Sequence, residues 1–207
     1  MEKDLVPNKI RSRFRDDDHA LTAWNDGVSL VERGEYASAV AVFVRLAEQH
    51  YEGAAEVLAR IYETGGHGVE IDLAEAKAWY EVAVRDEASA SGRLGLARVL
   101  LLSDLPSDHQ IAIALLEEAN AEGDVHASLT LATLLEAGHR LPKDIDRAMA
   151  LYRSAAARGY VYATTRLAVI ASQRNERVEA IKLRAKAAIE AMKIAKRDPN
   201  DDRLWQL

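Results

Sequence analysis

Glu56, Arg60 and Glu63 lie at steps of four and three residues, so one stripe of a helix would carry two carboxylates flanking a guanidinium. Such a set is raw material for acid–base chemistry. At this spacing, however, opposite charges more commonly form a solvated, ion-paired helix face, and that is the reading taken here. The run Thr64-Gly65-Gly66-His67-Gly68 has the composition of a phosphate-cradling loop. It lacks the Lys-Ser/Thr ending of a nucleotide loop and follows no predicted strand. Its glycines are read instead as residues that reach positive φ to end one helix and start the next. The six histidines, His19, His50, His67, His109, His126 and His139, are scattered, and none stands in an H-E-x-x-H or similar ligand spacing. With no cysteine and no G-x-S-x-G elbow, no nucleophile is assigned. The expectation is therefore a chain that is not an enzyme, with no catalytic, cofactor-binding or metal-binding residues.

The elements that carry these residues repeat. Ala54-x3-Leu58-Ala59-x2-Tyr62-x2-Gly65-x2-Gly68-Val69-x2-Asp72-x3-Ala76-x2-Trp79-Tyr80-x2-Ala83 returns about 36 residues later as Ala90, Leu94, Gly95, Asp108, Ala112, Leu115, Leu116 and Ala119. A third copy aligns Ala127, Leu131, Ala132, Leu135, Gly138, Asp144, Ala148, Leu151, Tyr152 and Ala155. A fourth begins with Ala163, Leu167 and Ala168, loses about four connecting residues, and resumes at Ala180, Leu183, Ala187 and Ala188. Apolar residues at three- and four-residue steps, divided by a break, read as a helical hairpin. Self-similarity at this period marks a solenoid whose units bury their apolar faces against neighbours. Ala59, Gly95, Ala132 and Ala168 are the small residues expected where the two helices of a hairpin approach. Asp72, Asp108 and Asp144 are expected to cap the helix that follows each of them.

This pattern resembles the Sel-one-like repeat, a relative of the tetratricopeptide repeat with a longer, glycine-bearing turn. Upstream, Gly27-x6-Gly34-Glu35-Tyr36-x2-Ala39-x3-Phe43 resembles the tetratricopeptide form, and together the resemblance covers about residues 19 to 190. It implies an all-α, right-handed α-α superhelix of about five hairpins ending in a capping helix. The organisation expected is a flexible tail over 1–18, a repeat solenoid over 19–197 and a C-terminal tail over 198–207.

Composition limits the partners. A net charge of −6 argues against a general nucleic-acid binder, which needs clustered cations to displace counterions. No apolar run approaches the roughly 20 residues of a membrane span, and the start Met1-Glu2-Lys3-Asp4 lacks the apolar segment of a secretory signal. A cytoplasmic setting is expected, and the family resemblance implies a bacterial one. Residues 177–197 hold seven Lys or Arg against two Glu, leaving about −11 on the rest of the chain. In that helix Val178, Ile181, Ala185, Ile189 and Met192 form an apolar face, read here as the side that seals the last hairpin.

In solenoids of the resembling family the first helix of each hairpin lines the concave side. That register picks out Trp24 and Val28, then Glu56, Arg60 and Glu63, then Leu96 and Val99. His126, Leu129 and Thr133 follow, and finally Tyr162, Thr165 and Gln173. The expected role is a scaffold or adaptor that presents this groove to another protein or peptide. The alternatives are a peripheral membrane-associated regulator recruited through the basic C-terminal helix, and an inhibitor of a toxic effector.

Overall fold

Small and large apolar side chains three and four residues apart give each segment one side that water disfavours, and the chain folds into helices that cover those sides. The structure is a computed structural model that describes residues 18–87, 89–199 and 201–205. In chain order the helices are α1 (Asp18–Glu32), α2 (Tyr36–Glu48), α3 (Ala54–Thr64), α4 (Leu73–Glu87), α5 (Ala90–Leu102) and α6 (Pro106–Ala121). They continue as α7 (Val125–Ala137), α8 (Ile145–Ala157), α9 (Val161–Gln173), α10 (Arg177–Arg197) and the single turn α11 (Asp202–Trp205). The architecture is all-α. Among the described residues there is no strand, only an isolated bridge between Gly66 and Val69. The expected tail over 1–18 lies outside the described residues except for Asp18, which opens α1.

The chain forms two compact units, one ending at Ala112 and the other beginning at Ile113, with α6 contributing to both. In the first, Trp24 of α1 meets Phe43 of α2 edge-on at 5.3 Å, and Leu46, Leu58 and Ile61 close the core around them. Gly27 lets the two helices approach, since a β-carbon there would stand 2.9 Å from the Phe43 ring. The turn between α3 and α4 explains its glycines one by one. Gly65 and Gly68 have φ of 65° and 82°. A β-carbon on Gly66 would lie 2.1 Å from the Tyr36 ring, so no other residue fits. Gly66 and Val69 exchange backbone hydrogen bonds of 2.8 and 3.0 Å, closing the loop on itself.

Two of the three expected caps form. Asp72 accepts from the backbone N–H of Ala74 and Glu75 at 3.0 Å each, and Asp144 accepts from Arg147 N–H at 2.9 Å. Asp108 differs. Here α5 runs on to Leu102, the turn shrinks to Ser103-Asp104-Leu105, and Pro106 starts α6. Proline suits a first helical position because the missing N–H has no partner there in any case. Asp108 is thereby drawn into the first turn of α6, where it is buried and lies 3.6 Å from Lys77.

The second unit packs Leu129, Ala132 and Leu135 of α7 against Met149, Tyr152 and Ala156 of α8 and Leu167 and Ile170 of α9. The helix α10 closes on α9, and α11 contacts both. The face of α10 that turns inward is not the one read from the sequence. Ala180, Ala187 and Ile194 are buried, with Leu183 packed against the core. Val178, Ile181, Ile189 and Met192 point to solvent instead, 69, 65, 52 and 74% exposed. Alanines allow α10 to lie close to α9, whereas the larger side chains of the other stripe would hold it away.

All four small positions, Ala59, Gly95, Ala132 and Ala168, are buried. Gly95 shows why size matters, because a β-carbon there would sit 2.2 Å from the Tyr80 ring. Of the large apolar residues of the repeat, Leu58, Tyr80, Leu131, Leu135, Tyr152 and Leu167 are buried, whereas Tyr62, Trp79, Leu94, Leu115 and Leu151 are half-buried.

Candidate functional site

The polar residues on the first helices of the hairpins do not act along one helix. Glu63, near the end of α3, has a side chain only 10% exposed, and it pairs with Arg98 of α5 across 35 residues of sequence. Arg98 Nη2 donates to Glu63 Oε2 at 2.6 Å, and its Nε donates to the other carboxylate oxygen. The Tyr80 hydroxyl of α4 donates to Glu63 Oε2 at 2.8 Å and accepts from Arg98 Nη2 at 3.2 Å. Burial alone would raise the Glu63 pKa. The hydrogen bonds from Arg98 and Tyr80, with the charges of Arg98 and Arg60, outweigh it and hold the carboxyl below its ordinary value. Burial, then the neighbouring carboxylate, pushes the Tyr80 phenol up. Arg98 is held more firmly protonated by its bond to Glu63.

Glu56 likewise works between helices, accepting from Ser89 Oγ at 3.0 Å and Ser91 Oγ at 2.7 Å. The expected ion-paired face of α3 is therefore replaced by bonds to the following hairpin. Arg60 stays exposed.

The second unit contains the same arrangement. Tyr152 of α8 donates to Glu136 Oε2 of α7 at 3.0 Å, and Arg166 of α9 reaches the same carboxylate through Nε at 3.2 Å and through Nη2. Thr133 Oγ1 lies 3.2 Å from the Tyr152 hydroxyl, and Tyr162 stands edge-on to the Tyr152 ring at 6.2 Å. Burial is again the largest cause of a raised tyrosine pKa at Tyr152, opposed by the Thr133 bond and assisted by Tyr162 and Glu136. Copy register relates Glu63 to Glu136 and Tyr80 to Tyr152. In the intervening copy the equivalent residues are Val99 and Leu116, an apolar pair that needs no arginine.

The residues proposed from sequence for the groove separate by burial. Trp24, Leu96 and Val99 are 5, 6 and 5% exposed and belong to the interior, as does Leu129. They offer no side-chain face to a partner. Val28, Glu56, Glu63, His126 and Tyr162 are half-buried, with His126 edge-on to Tyr160 at 5.7 Å. Arg60, Thr133, Thr165 and Gln173 are exposed. In the first unit Glu56, Arg60 and Glu63 share a surface with Arg98, and in the second Thr133 and Tyr162 share one with Arg166. Arg98 and Arg166 were not picked out by the family register. The usable signal was the glutamate–tyrosine pair spaced 17 residues apart in copy one and 16 in copy three.

On each of these surfaces an arginine pairs with a glutamate whose side chain is 10 or 11% exposed, so the charge is locally balanced. Among the described residues no three His, Asp or Glu converge in a way that would hold a metal ion. A cleft of about 260 Å³ lined by Met149, Arg153, Thr164, Leu167, Leu183 and Lys186 lies in the second unit. It is smaller than the roughly 300–1,000 Å³ of most small-molecule sites. No helix among the described residues is long and apolar enough to cross a membrane.

Comparison with known proteins agrees with this reading of the repeats. Residues 46–85, 89–124 and 127–160 match the Sel1 repeat, together more than half of the chain. No curated protein sequence matches the chain significantly. Among solved structures it is similar to a Sel1 repeat protein from Oxalobacter formigenes at 20% identity and a TM-score of 0.66, covering 80% of this chain and 69% of that one. It is also similar to c5321, a protective antigen of uropathogenic Escherichia coli with an SLR fold, at 19% identity and a TM-score of 0.66. That match covers 96% of this chain and 51% of c5321. A third likeness is to YrrB, described as a TPR protein with an unusual peptide-binding site, at 18% identity and a TM-score of 0.54, covering 94% of this chain and 95% of YrrB. These likenesses place the fold among helical-repeat solenoids. With hairpins in register and the motif found three times, the chain belongs to the Sel1 repeat family.

Proposed function

We propose that this protein is a non-enzymatic adaptor that holds a segment of another protein against the first helices of its hairpins. The carrying observation is the Arg98 side chain, 56% exposed, backed by the sunken Glu63 and set on the same surface as the exposed Arg60. Such a surface suits an extended peptide or helix that brings carbonyl or carboxylate oxygens, because arginine offers several donors in a fixed fork. The second unit's surface, with Arg166, Thr133 and Tyr162, adds an aromatic edge beside its donors. Aromatic and arginine side chains are the ones that most often dominate binding energy at interfaces. A peptide-binding site in YrrB, a neighbour of the same fold, supports the reading by analogy.

The test uses Arg60→Glu, which reverses a charge on an exposed helix position without touching the core. Affinity purification of the intact protein from its host, with quantitative mass spectrometry, should recover a partner that the variant loses at least about tenfold, equivalent to about 1.4 kcal/mol. Equal recovery, with an unchanged circular-dichroism melt, would move the interface to another face.

A further inference from the structure

The stripe of α10 that faces solvent is a second surface, independent of the one just described. Val178, Ile181, Ile189 and Met192 are all more than half exposed. At 3.6 residues per turn they fall within an arc of about 80°, and the ridge they form is about 21 Å long. The hairpin makes no use of them, because Ala180, Leu183, Ala187 and Ile194 provide its contact. Exposed Lys182 and Lys193 border the ridge on one side and Arg177 and Arg184 on the other.

We propose that the outer face of α10 docks on an anionic lipid surface, with the apolar ridge entering the headgroup boundary and the flanking lysines and arginines meeting lipid phosphates. Charge complementarity selects this occupant. The helix carries seven cations against two carboxylates, while the rest of the chain carries about −11. An anionic bilayer therefore attracts this face and repels the body, which orients the protein with α10 toward the membrane. The same count disfavours a second copy seated ridge to ridge, since two strongly cationic helices would oppose each other. Form agrees with charge. A row of side chains standing out from one helix needs a medium that yields around it, and an interfacial helix with large apolar residues and flanking lysines is held in lipid in this way.

The experiment is co-sedimentation of the full chain with vesicles of phosphatidylcholine alone and of phosphatidylcholine with phosphatidylglycerol, at low and high salt. Two double variants accompany it. Ile181→Gln with Met192→Gln removes two of the four ridge side chains and keeps the charge, while Lys182→Gln with Lys193→Gln keeps the ridge and removes the cations on one of its sides. Neither touches a buried residue, so both should melt like the parent. The expected result is binding to the phosphatidylglycerol vesicles only, weakened by salt and reduced at least about tenfold in each variant. The proposal is overturned if the parent stays in the supernatant with anionic vesicles, or if the ridge variant sediments as the parent does. It is equally overturned if light scattering shows a dimer that the ridge variant dissolves while no vesicles are bound, or if an acidic amphipathic peptide binds this face and vesicles do not. Because Arg60 is on a different helix, failure here leaves the partner-binding test unaffected.

Discussion

At Glu63 and Glu136 carboxylates sit where water is largely excluded, and each is tolerated because a tyrosine and an arginine from other helices donate to it. Removing one donor strands the charge. Arg98→Met is expected to destabilise the fold by about 1 to 2 kcal/mol, a figure kept low because the guanidinium is half exposed and partly screened. A chemical-denaturation series would read it, and no change would mean that Glu63 finds water instead. Linkage gives a second test. The Glu63 carboxyl is lowered in the folded state, so its contribution is present above the ordinary carboxylate range and is lost as the pH falls through the depressed value. Glu63→Gln should therefore flatten the acid limb of the stability profile. The tyrosines run the other way: the raised Tyr80 and Tyr152 phenols favour the fold below the ordinary phenol range, and this is lost as pH rises. In an ultraviolet titration of the native protein, the Tyr80 and Tyr152 phenols should ionise above the ordinary phenol range.

Helices meet here through small residues, so the element-scale test is to enlarge them. Ala59→Leu and Ala132→Leu, at positions with no exposed surface, should each cost about 1 to 3 kcal/mol by overpacking. Unchanged thermal unfolding of both would show that the hairpins have room to spare. Gly95→Ala sets two effects against each other. A helix interior gains about 1 kcal/mol from alanine over glycine, but the new methyl would stand 2.2 Å from the Tyr80 ring, a distance no packing accepts. The clash should win and the variant should be less stable. The capping residues were readable because a cap is local: Asp72 and Asp144 bond to N–H groups two or three residues away. Asp108 was misread because the preceding helix runs two residues further than its counterparts and Pro106 restarts the helix early, which shifted the helix start without shifting the repeat.

Across the molecule each unit keeps its own core, around Trp24 and Phe43 in the first and around Tyr152 and Leu167 in the second. Repeat arrays draw stability from each unit and its nearest neighbours, so damage should fade with distance along the chain. Phe43→Ala, which empties a fully buried aromatic site, is expected to cost about 3 to 5 kcal/mol locally. By hydrogen exchange its effect should be strongest in α1 to α4 and weakest in α8 to α10. Uniform loss of protection along the chain would instead show one cooperative block.

The repeat, its helical hairpins and the residues that turn and cap most of them were settled by the sequence itself, because helical periodicity, positive-φ glycines and caps depend on neighbours a few positions away. Three matters were left to the tertiary structure. Glu63 met Arg98 only because consecutive hairpins brought residues 35 apart together. Trp24, Leu96 and Val99 went inside because helix rotation, which family register describes only on average, decided what each helix shows to solvent. And α10 turned Ala180, Leu183, Ala187 and Ile194 inward and Val178, Ile181, Ile189 and Met192 out, a choice set by how closely α9 could be approached and not by which stripe was the more apolar.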